Sequence, residues 1–342
     1  MKLAVIALTG RGQELAVSLK DKLRRSQQDR VDIYLPRESN SSLKELTASL
    51  FAEYEGLIFI MALGIVVRVL APYLSDKRED PAVVTIAEDG SYIISTLSGH
   101  LGGANSLTER LAELLGGDPV ITTASDCQGL PALDLLAREL NCEIIPFNNL
   151  KLASGALVNG EPVNIFSDYQ LEIEPRENLR LLSLQRLGEV SGFPVIISER
   201  KFRLEGEYLQ LVPRSIVLGL GCRRGVSSSQ IEDAVELALK KLRLHRQSIK
   251  HLATISLKRD ENGLLEYAAR TGLPLEFISR EEIRQAEISY TESKFVREKL
   301  GIGGVSEPAA MLTARKGELI LSKTVRNQVT VAAVREKSLS RE

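Results

Sequence analysis

Residues 92–117 constrain the fold more than any other stretch. Tyr92-Ile93-Ile94 is a strand-forming apolar run that ends in the hydroxyls of Ser95 and Thr96. Leu97-Ser98-Gly99-His100-Leu101-Gly102-Gly103-Ala104-Asn105 follows as a glycine-rich turn. Leu107, Leu111, Leu114 and Leu115 then recur at helical spacing until Gly116-Gly117 supplies the stop. Strand, glycine turn and helix start form the local unit of an open α/β sheet, which presents backbone N–H groups and short polar side chains at a strand's carboxyl end. Glycines there let a ligand approach the backbone closely. His100 sits inside the turn with little apolar core to join, and loops carry function disproportionately.

The same alternation recurs along the chain. Lys2–Leu8 reads as a buried strand, Thr9-Gly10-Arg11-Gly12 as a turn, and Leu15, Ala16, Leu19 and Leu23 as the apolar face of a helix. That turn lacks the third glycine and the distal acid of a dinucleotide fingerprint. A strand at Val31–Leu35, a helix capped by Ser41-Ser42 and running through Phe51, and a strand at Gly56–Met61 come next. Ala62–Pro72 is apolar apart from Arg68, which either pairs locally on a buried helix or points into a cleft beside the strand ends. Ala82–Ile86 and Tyr92–Ser95, joined through Glu88-Asp89-Gly90, spell a hairpin. Val120–Asp126 reads as a strand ending in hydroxyls and a carboxylate; Asp126 either caps the helix that runs to Leu140 or acts as a catalytic carboxylate. In an open sheet this polar end is expected beside that of the His100 strand.

Beyond residue 140 the periodicity weakens, and short apolar pieces alternate with polar ones up to Pro213. A new unit begins at Ser215–Leu220 with a strand, the turn Gly219-Leu220-Gly221-Cys222-Arg223-Arg224-Gly225, and a helix carrying Ile231, Ala234, Val235, Ala238 and Leu239. That turn is either an anion site, built from N–H groups, a helix dipole and two guanidinium groups, or a turn with solvated arginines. It is not a Walker loop. Further strand and helix segments follow, then Gly301–Val305 runs into a helix with Pro308 at its first position, Ser306 as a cap and Glu307 complementing the dipole. Leu319–Ser322 and Gln328–Ala333 close the unit, and 336–342 is a charged tail. The expected fold is multi-domain α/β: domains at 1–140 and 214–335, with mainly parallel sheets, flank a small α+β middle segment at 141–213.

Composition excludes several classes. A chain of 342 residues is too long for one ordinary core. A net charge of −1 gives no field to recruit nucleic acid or an anionic membrane. No apolar run approaches the ~20 residues of a membrane span, and the start lacks a signal-peptide pattern, so the chain is expected in the cytoplasm. Three scattered cysteines and three histidines argue against a disulfide framework, a zinc site or a multi-histidine metal centre.

Six motifs, in order, carry a family resemblance. Gly64-Ile65-Val66-Val67-Arg68…Ala71-Pro72, Asp76-Lys77…Asp80-Pro81-Ala82-Val83-Val84, the Leu97–Asn105 turn and Ile121-Thr122-Thr123-Ala124-Ser125-Asp126 resemble the amino-terminal domain of the CbiG family. These are the cobalt-precorrin-5A hydrolases of anaerobic cobalamin biosynthesis. Gly219–Gly225 and Val305-Ser306-Glu307-Pro308-Ala309-Ala310 resemble the family's carboxy-terminal domain. A serine stands at 125 where the family pattern has threonine, which keeps the hydroxyl.

The resemblance implies a hydrolase that opens the δ-lactone of cobalt-precorrin-5A and expels C20 with its methyl group as acetaldehyde. Cobalt would arrive with the substrate, so no cofactor or metal site is expected. For that chemistry His100 is the expected base and later acid, with Asp126 orienting it or activating water, and Glu307 a further candidate. Ser98 and the N–H groups near Gly102 and Gly103 are candidate oxyanion donors. Arg68, Lys77, Arg223 and Arg224 are candidate clamps for the substrate's rim carboxylates. Gly99, Asn105, Gly221 and Ser306 are further candidate substrate contacts. Expected partners are the corrinoid, neighbouring enzymes of the pathway and a second copy of the chain. Two other readings stand beside this one: a non-catalytic corrinoid carrier, and a nucleotide-dependent enzyme that lacks a complete phosphate loop.

Overall fold

The computed structural model describes residues 1–342 except 27–28, 37–41, 77, 172, 175, 315 and 340–342. Ser41 and Lys77 therefore lie outside the described residues. The chain divides into two compact units, Met1–Leu135 and Leu136–Glu342. Among the described residues no helix is long and apolar enough to cross a membrane.

The first unit is built on six strands: β1 (Lys2–Ala7), β2 (Arg30–Tyr34), β3 (Gly56–Ile60), β4 (Ala82–Ile86), β5 (Tyr92–Leu97) and β6 (Asp118–Val120). Their spatial order is β2-β1-β3-β4-β5-β6. Helices α1 (Gly10–Ser26), α2 (Leu43–Glu53), α3 (Leu63–Leu70) and α4 (Ala104–Leu115) cover it. Both sheet faces are buried, which is why β1, β3 and β4 read as unbroken apolar runs. Leu3, Val5, Ile58 and Val84 belong to one apolar cluster with Leu19 and Leu23 of α1 and Leu107 and Leu111 of α4. Ala4, Ile6, Leu57 and Phe59 belong to another with Leu50 of α2 and Val66 and Leu70 of α3. Ser42 caps α2 through a reciprocal capping box with Glu45.

One reversal organises this sheet. β1 runs parallel to β2 and β3, and β3 to β4. The β4–β5 hairpin then turns the chain back, with Val83 opposite Leu97 and Ile86 opposite Ile93. β6 follows β5 in parallel. The carboxyl ends of β5 and β6 therefore share an edge with the amino ends of β1, β3 and β4. β6 is shorter than the sequence suggests: it stops at Val120, and residues 124–127 form a helical turn, α5 (Ala124–Cys127). α6 (Leu133–Glu139) follows.

The second unit holds two sheets. The first comprises β7 (Cys142–Ile145), β8 (Val163–Ser167), β9 (Leu179–Ser183), β10 (Phe193–Ile197) and β11 (Leu209–Pro213), in the order β7-β11-β10-β8-β9, with α7 (Asn149–Val158). β7 and β9 are absent from the sequence reading. The other comprises β12 (Ile216–Cys222), β13 (Ile249–Ile255), β14 (Leu275–Ile278), β15 (Gly317–Arg326) and β16 (Val329–Glu336), in the order β14-β13-β12-β16-β15. Its helices are α8 (Ser228–Leu242), α9 (Asn262–Thr271), α10 (Arg280–Gln285), α11 (Lys294–Leu300) and α12 (Ser306–Thr313). Asn327 and Gln328, at φ 47° and 65°, make a two-residue turn between β15 and β16. Glu336, read as the first residue of a tail, is instead the last of β16 and pairs with Lys250 at 2.8 Å.

The two sheets of this unit are joined by a polar seam. Lys201 N–H donates to the Arg243 carbonyl at 2.7 Å, and His245 N–H to the Glu199 carbonyl at 2.9 Å. The Glu199 side chain, 3% exposed, accepts from Arg335 at 3.2 Å. Its other oxygen accepts from the Tyr169 hydroxyl at 3.0 Å.

Candidate active site

The His100 turn and the residues after β6 meet at the shared edge of the first sheet. Burial of Leu107 and Leu111, worth roughly 2 kcal/mol each, fixes which face of α4 packs down. That in turn fixes Asn105 in its first turn. Asn105 is 6% exposed. Its Oδ1 accepts from Ser95 Oγ at 2.6 Å, and its Nδ2 donates to Thr123 Oγ1 and Asp126 Oδ2, both at 3.1 Å. Both amide protons are thus used, and Asn105 holds Asp126 in place. Gly99 serves that arrangement, because a Cβ there would stand 2.7 Å from Asn105 Oδ1.

His100 is held between two carboxylates. Nε2 lies 2.7 Å from Asp126 Oδ2, and Nδ1 lies 3.3 Å from Asp134 Oδ1. Ser125 Oγ is 3.4 Å from Nε2. The two acids differ in exposure: the Asp126 side chain is 35% exposed and that of Asp134 only 9%. Asp126 sits within α5, and its carboxylate turns to the imidazole instead of capping a later helix.

The charge state follows. The Asp134 contact raises the His100 pKa most; partial burial opposes it, Asp126 adds to it, and the value is pushed up to about 9. Burial pushes the Asp134 carboxyl up, but the imidazolium outweighs it and holds the group below the ordinary aspartate range. At neutral pH the ring carries its proton. The two flanking carboxylates thus favour the protonated ring, whereas the sequence reading has His100 begin as a base.

The oxyanion donors sort themselves by what they already bond. Gly103 N–H donates to the His100 carbonyl at 3.0 Å and is taken. Gly102 N–H makes no hydrogen bond among the described residues. Ser98, at φ 55°, packs its side chain against Gly102, and its hydroxyl is buried without a hydrogen-bond partner. Of the candidate donors, Ser98 Oγ and Gly102 N–H are thus the ones without a hydrogen-bond partner among the described residues.

Several candidates lie elsewhere with other work. Arg68 is exposed on α3 and makes no ion pair among the described residues. Gly221 is an interior residue of β12 opposite Thr330, whose hydroxyl donates to its carbonyl at 3.0 Å. Ser306 is 1% exposed at the start of α12, its carbonyl pressed onto the space where Gly219 has no Cβ. Neither faces a ligand. α12 begins at Ser306, so Pro308 is its third residue, still within the turn whose N–H groups lack helical partners. Glu307, 2% exposed, accepts from Thr291 N–H at 2.6 Å and Lys323 N–H at 2.7 Å. Burial pushes its carboxyl up, but these two bonds outweigh it and hold the group below the usual glutamate range. Glu307 is a latch between chain segments. Glu307→Ala is expected to cost about 3 kcal/mol in urea unfolding, for the loss of two charge-assisted hydrogen bonds.

The Gly219–Gly225 turn is not an open anion cradle. Gly225 N–H donates to Glu261 Oε1 at 2.7 Å, and Ser227 and Gln230 close the start of α8 in a capping box. The adjoining cavity of about 420 Å³ is lined by Asp260, Glu261 and Glu266 against Arg224. Arg224 pairs with Asp260 at 3.3 Å, whereas Arg223 is exposed and makes no ion pair among the described residues.

Asp134 is the site residue that sequence reasoning missed. It is a lone acid in the apolar run Leu130-Pro131-Ala132-Leu133-Asp134-Leu135-Leu136-Ala137, which was the available signal.

Comparison with known proteins covers the whole chain. The family profile described as Cobalamin synthesis G N-terminal matches residues 45–126, Cobalamin biosynthesis central region matches 131–213, and Cobalamin synthesis G C-terminus matches 216–334. The cobalt-precorrin-5A hydrolase of Priestia megaterium is 36% identical over 355 residues, spanning 96% of this chain and 93% of its own. That of Salmonella typhimurium is 39% identical over 286 residues, 81% of each chain. A crystal structure of a cobalamin biosynthesis protein G homologue from Sulfolobus solfataricus spans 98% of this chain and 97% of its own, at 24% identity and a TM-score of 0.43. With relatives this similar over nearly its full length, the chain belongs to the CbiG family, the cobalt-precorrin-5A hydrolases.

Proposed function

We propose that the chain opens the δ-lactone of cobalt-precorrin-5A and releases C20 with its methyl group as acetaldehyde, leaving cobalt-precorrin-5B. The observation that carries this reading is an imidazole held between two carboxylates, 2.7 Å and 3.3 Å away, in a glycine turn at one sheet edge. Lactone opening needs a base for water, a donor for the tetrahedral oxyanion and an acid for the departing oxygen. Asp126, the more exposed carboxylate, takes the proton from water as its oxygen attacks the lactone carbonyl. Gly102 N–H receives the oxyanion. His100 gives its proton to the C20 oxygen as the acyl–oxygen bond breaks, leaving a free acetate and a C20 alcohol.

The second step is a retro-aldol fragmentation. The C20 hydroxyl loses its proton to the now neutral His100, the carbon–carbon bond to the macrocycle breaks, and acetaldehyde departs. The bonding pair passes into the conjugated ring, which takes up a proton. Cobalt belongs to the substrate in this scheme. The reaction is placed in the cytoplasm, with neighbouring pathway enzymes as recipients of the product and a second copy of the chain as a partner.

The test is anaerobic incubation with cobalt-precorrin-5A and assay of acetaldehyde. Release supports the hydrolase; corrinoid binding without release would replace it with the carrier reading. Arg68 is the described candidate clamp in the same unit as His100. Arg68→Ala is expected to raise KM several-fold with kcat nearly unchanged, since a clamp remote from the reacting bonds acts on ground and transition state alike. An unchanged KM would remove it from the substrate's contacts.

A further inference from the structure

We propose that Asp134 is the positioning residue of this site: from the buried side it holds His100 through Nδ1, so that Nε2 faces Asp126 and the substrate. The proposal deepens the hydrolase reading and rests on it for the role of His100.

The geometry is directional. A carboxylate at 9% exposure between the buried Leu133 and Ala137 is costly to ionise unless it has a counter-charge. The ion-pair partner within reach is the imidazole, 3.3 Å away. Asp134 Oδ1 also accepts from Leu135 N–H at 3.1 Å, which anchors the carboxylate to the first turn of α6. It is therefore fixed on the buried side, while Asp126, at 35% exposure and also held by Asn105 at 3.1 Å, is the carboxylate open to a water or a substrate oxygen. Among the described residues, the titratable groups recorded against the ring are Asp126 from α5 and Asp134 from α6, with the Ser125 hydroxyl beside Nε2.

One acid thus sets the ring's orientation and keeps it charged, and the other shares the reaction. A bland ion pair tying α6 to the turn would have the same distances but no influence on proton transfer. The family profiles divide the pair, His100 falling in the amino-terminal match and Asp134 in the central one. The acid of the reaction therefore depends on a residue outside the segment that carries it.

The chain has only three histidines, His100, His245 and His251, so each imidazole can be followed by NMR with a His100→Asn variant for assignment. In the full-length protein His100 is expected to titrate near pH 9. In Asp134→Asn its midpoint should fall by about one unit or more, since a charged neighbour is replaced by a neutral one. The alkaline limb of kcat/KM should fall with it, while KM stays within about twofold. Asp134→Glu should restore part of the shift.

An unmoved midpoint in Asp134→Asn would overturn the proposal, as would an alkaline limb that stays in place when the midpoint moves. If Asp134→Asn does not fold, Asp134→Ser decides: the neutral side chain must lower both the midpoint and the limb, and wild-type values for both would reject the role. The titration needs no substrate. Absence of acetaldehyde release in the wild type would remove the hydrolase reading, and with it the catalytic meaning of Asp134, while the NMR arm would still report whether Asp134 holds the ring.

Discussion

His100→Ala is expected to lower acetaldehyde release by two to four orders of magnitude with little change in KM. General acid catalysis by a placed side chain contributes about that much. The substitution has a structural cost as well. It leaves Asp134, 9% exposed, beside a void with no counter-charge, so that acid is expected to take up a proton at neutral pH. His100→Gln is the better control, because its amide fills part of the volume and still donates a hydrogen bond, but cannot transfer a proton. Both variants should be similarly slow. Wild-type rates in either would make His100 structural and leave Asp126 as the group to examine.

Arg335→Met is expected to produce the largest loss of stability, about 3–5 kcal/mol, because it leaves Glu199 buried without its cation. For a unit of this size that corresponds to a fall on the order of 10 °C in Tm. The Tyr169 hydroxyl does not replace the charge: burial and Glu199 together push its pKa up, so it only donates a hydrogen bond. The double variant Glu199→Gln/Arg335→Met should recover much of the loss, since two neutral groups need no pairing. Calorimetry on the three proteins decides it, and a single variant within 1 °C of wild type would show the seam to be dispensable.

What the sequence reveals here follows a physical rule. The His100 turn and Asp126 were legible because glycine punctuation and polar strand ends are local signals. Their meeting at 2.7 Å follows from the parallel pairing of β5 and β6, which places both polar ends on one edge. Asp134 was harder, because its role depends on the ring facing it and on nothing in its immediate neighbours except their apolarity. The Gly219–Gly225 turn misled for the complementary reason. Its local chemistry is that of an anion site, but the anion is Glu261, 36 residues from the N–H it meets. Likewise β7 is a four-residue segment whose strand character comes from pairing with β11, well beyond any local window. β9 lies at the outer edge of its sheet with Arg180 and Leu181 exposed, which removes the alternation that marks a strand.

The hairpin between β4 and β5 has one more effect. In a sheet with every strand parallel, the crevice for a ligand would open beyond β1 and β3, near Gly10 and Gly64, where the strand order changes direction. Reversing β5 and β6 carries the reacting groups to the far rim, roughly 17 Å away, the length of a five-residue strand. A ligand held near Gly10 and Gly64 would leave the histidine untouched.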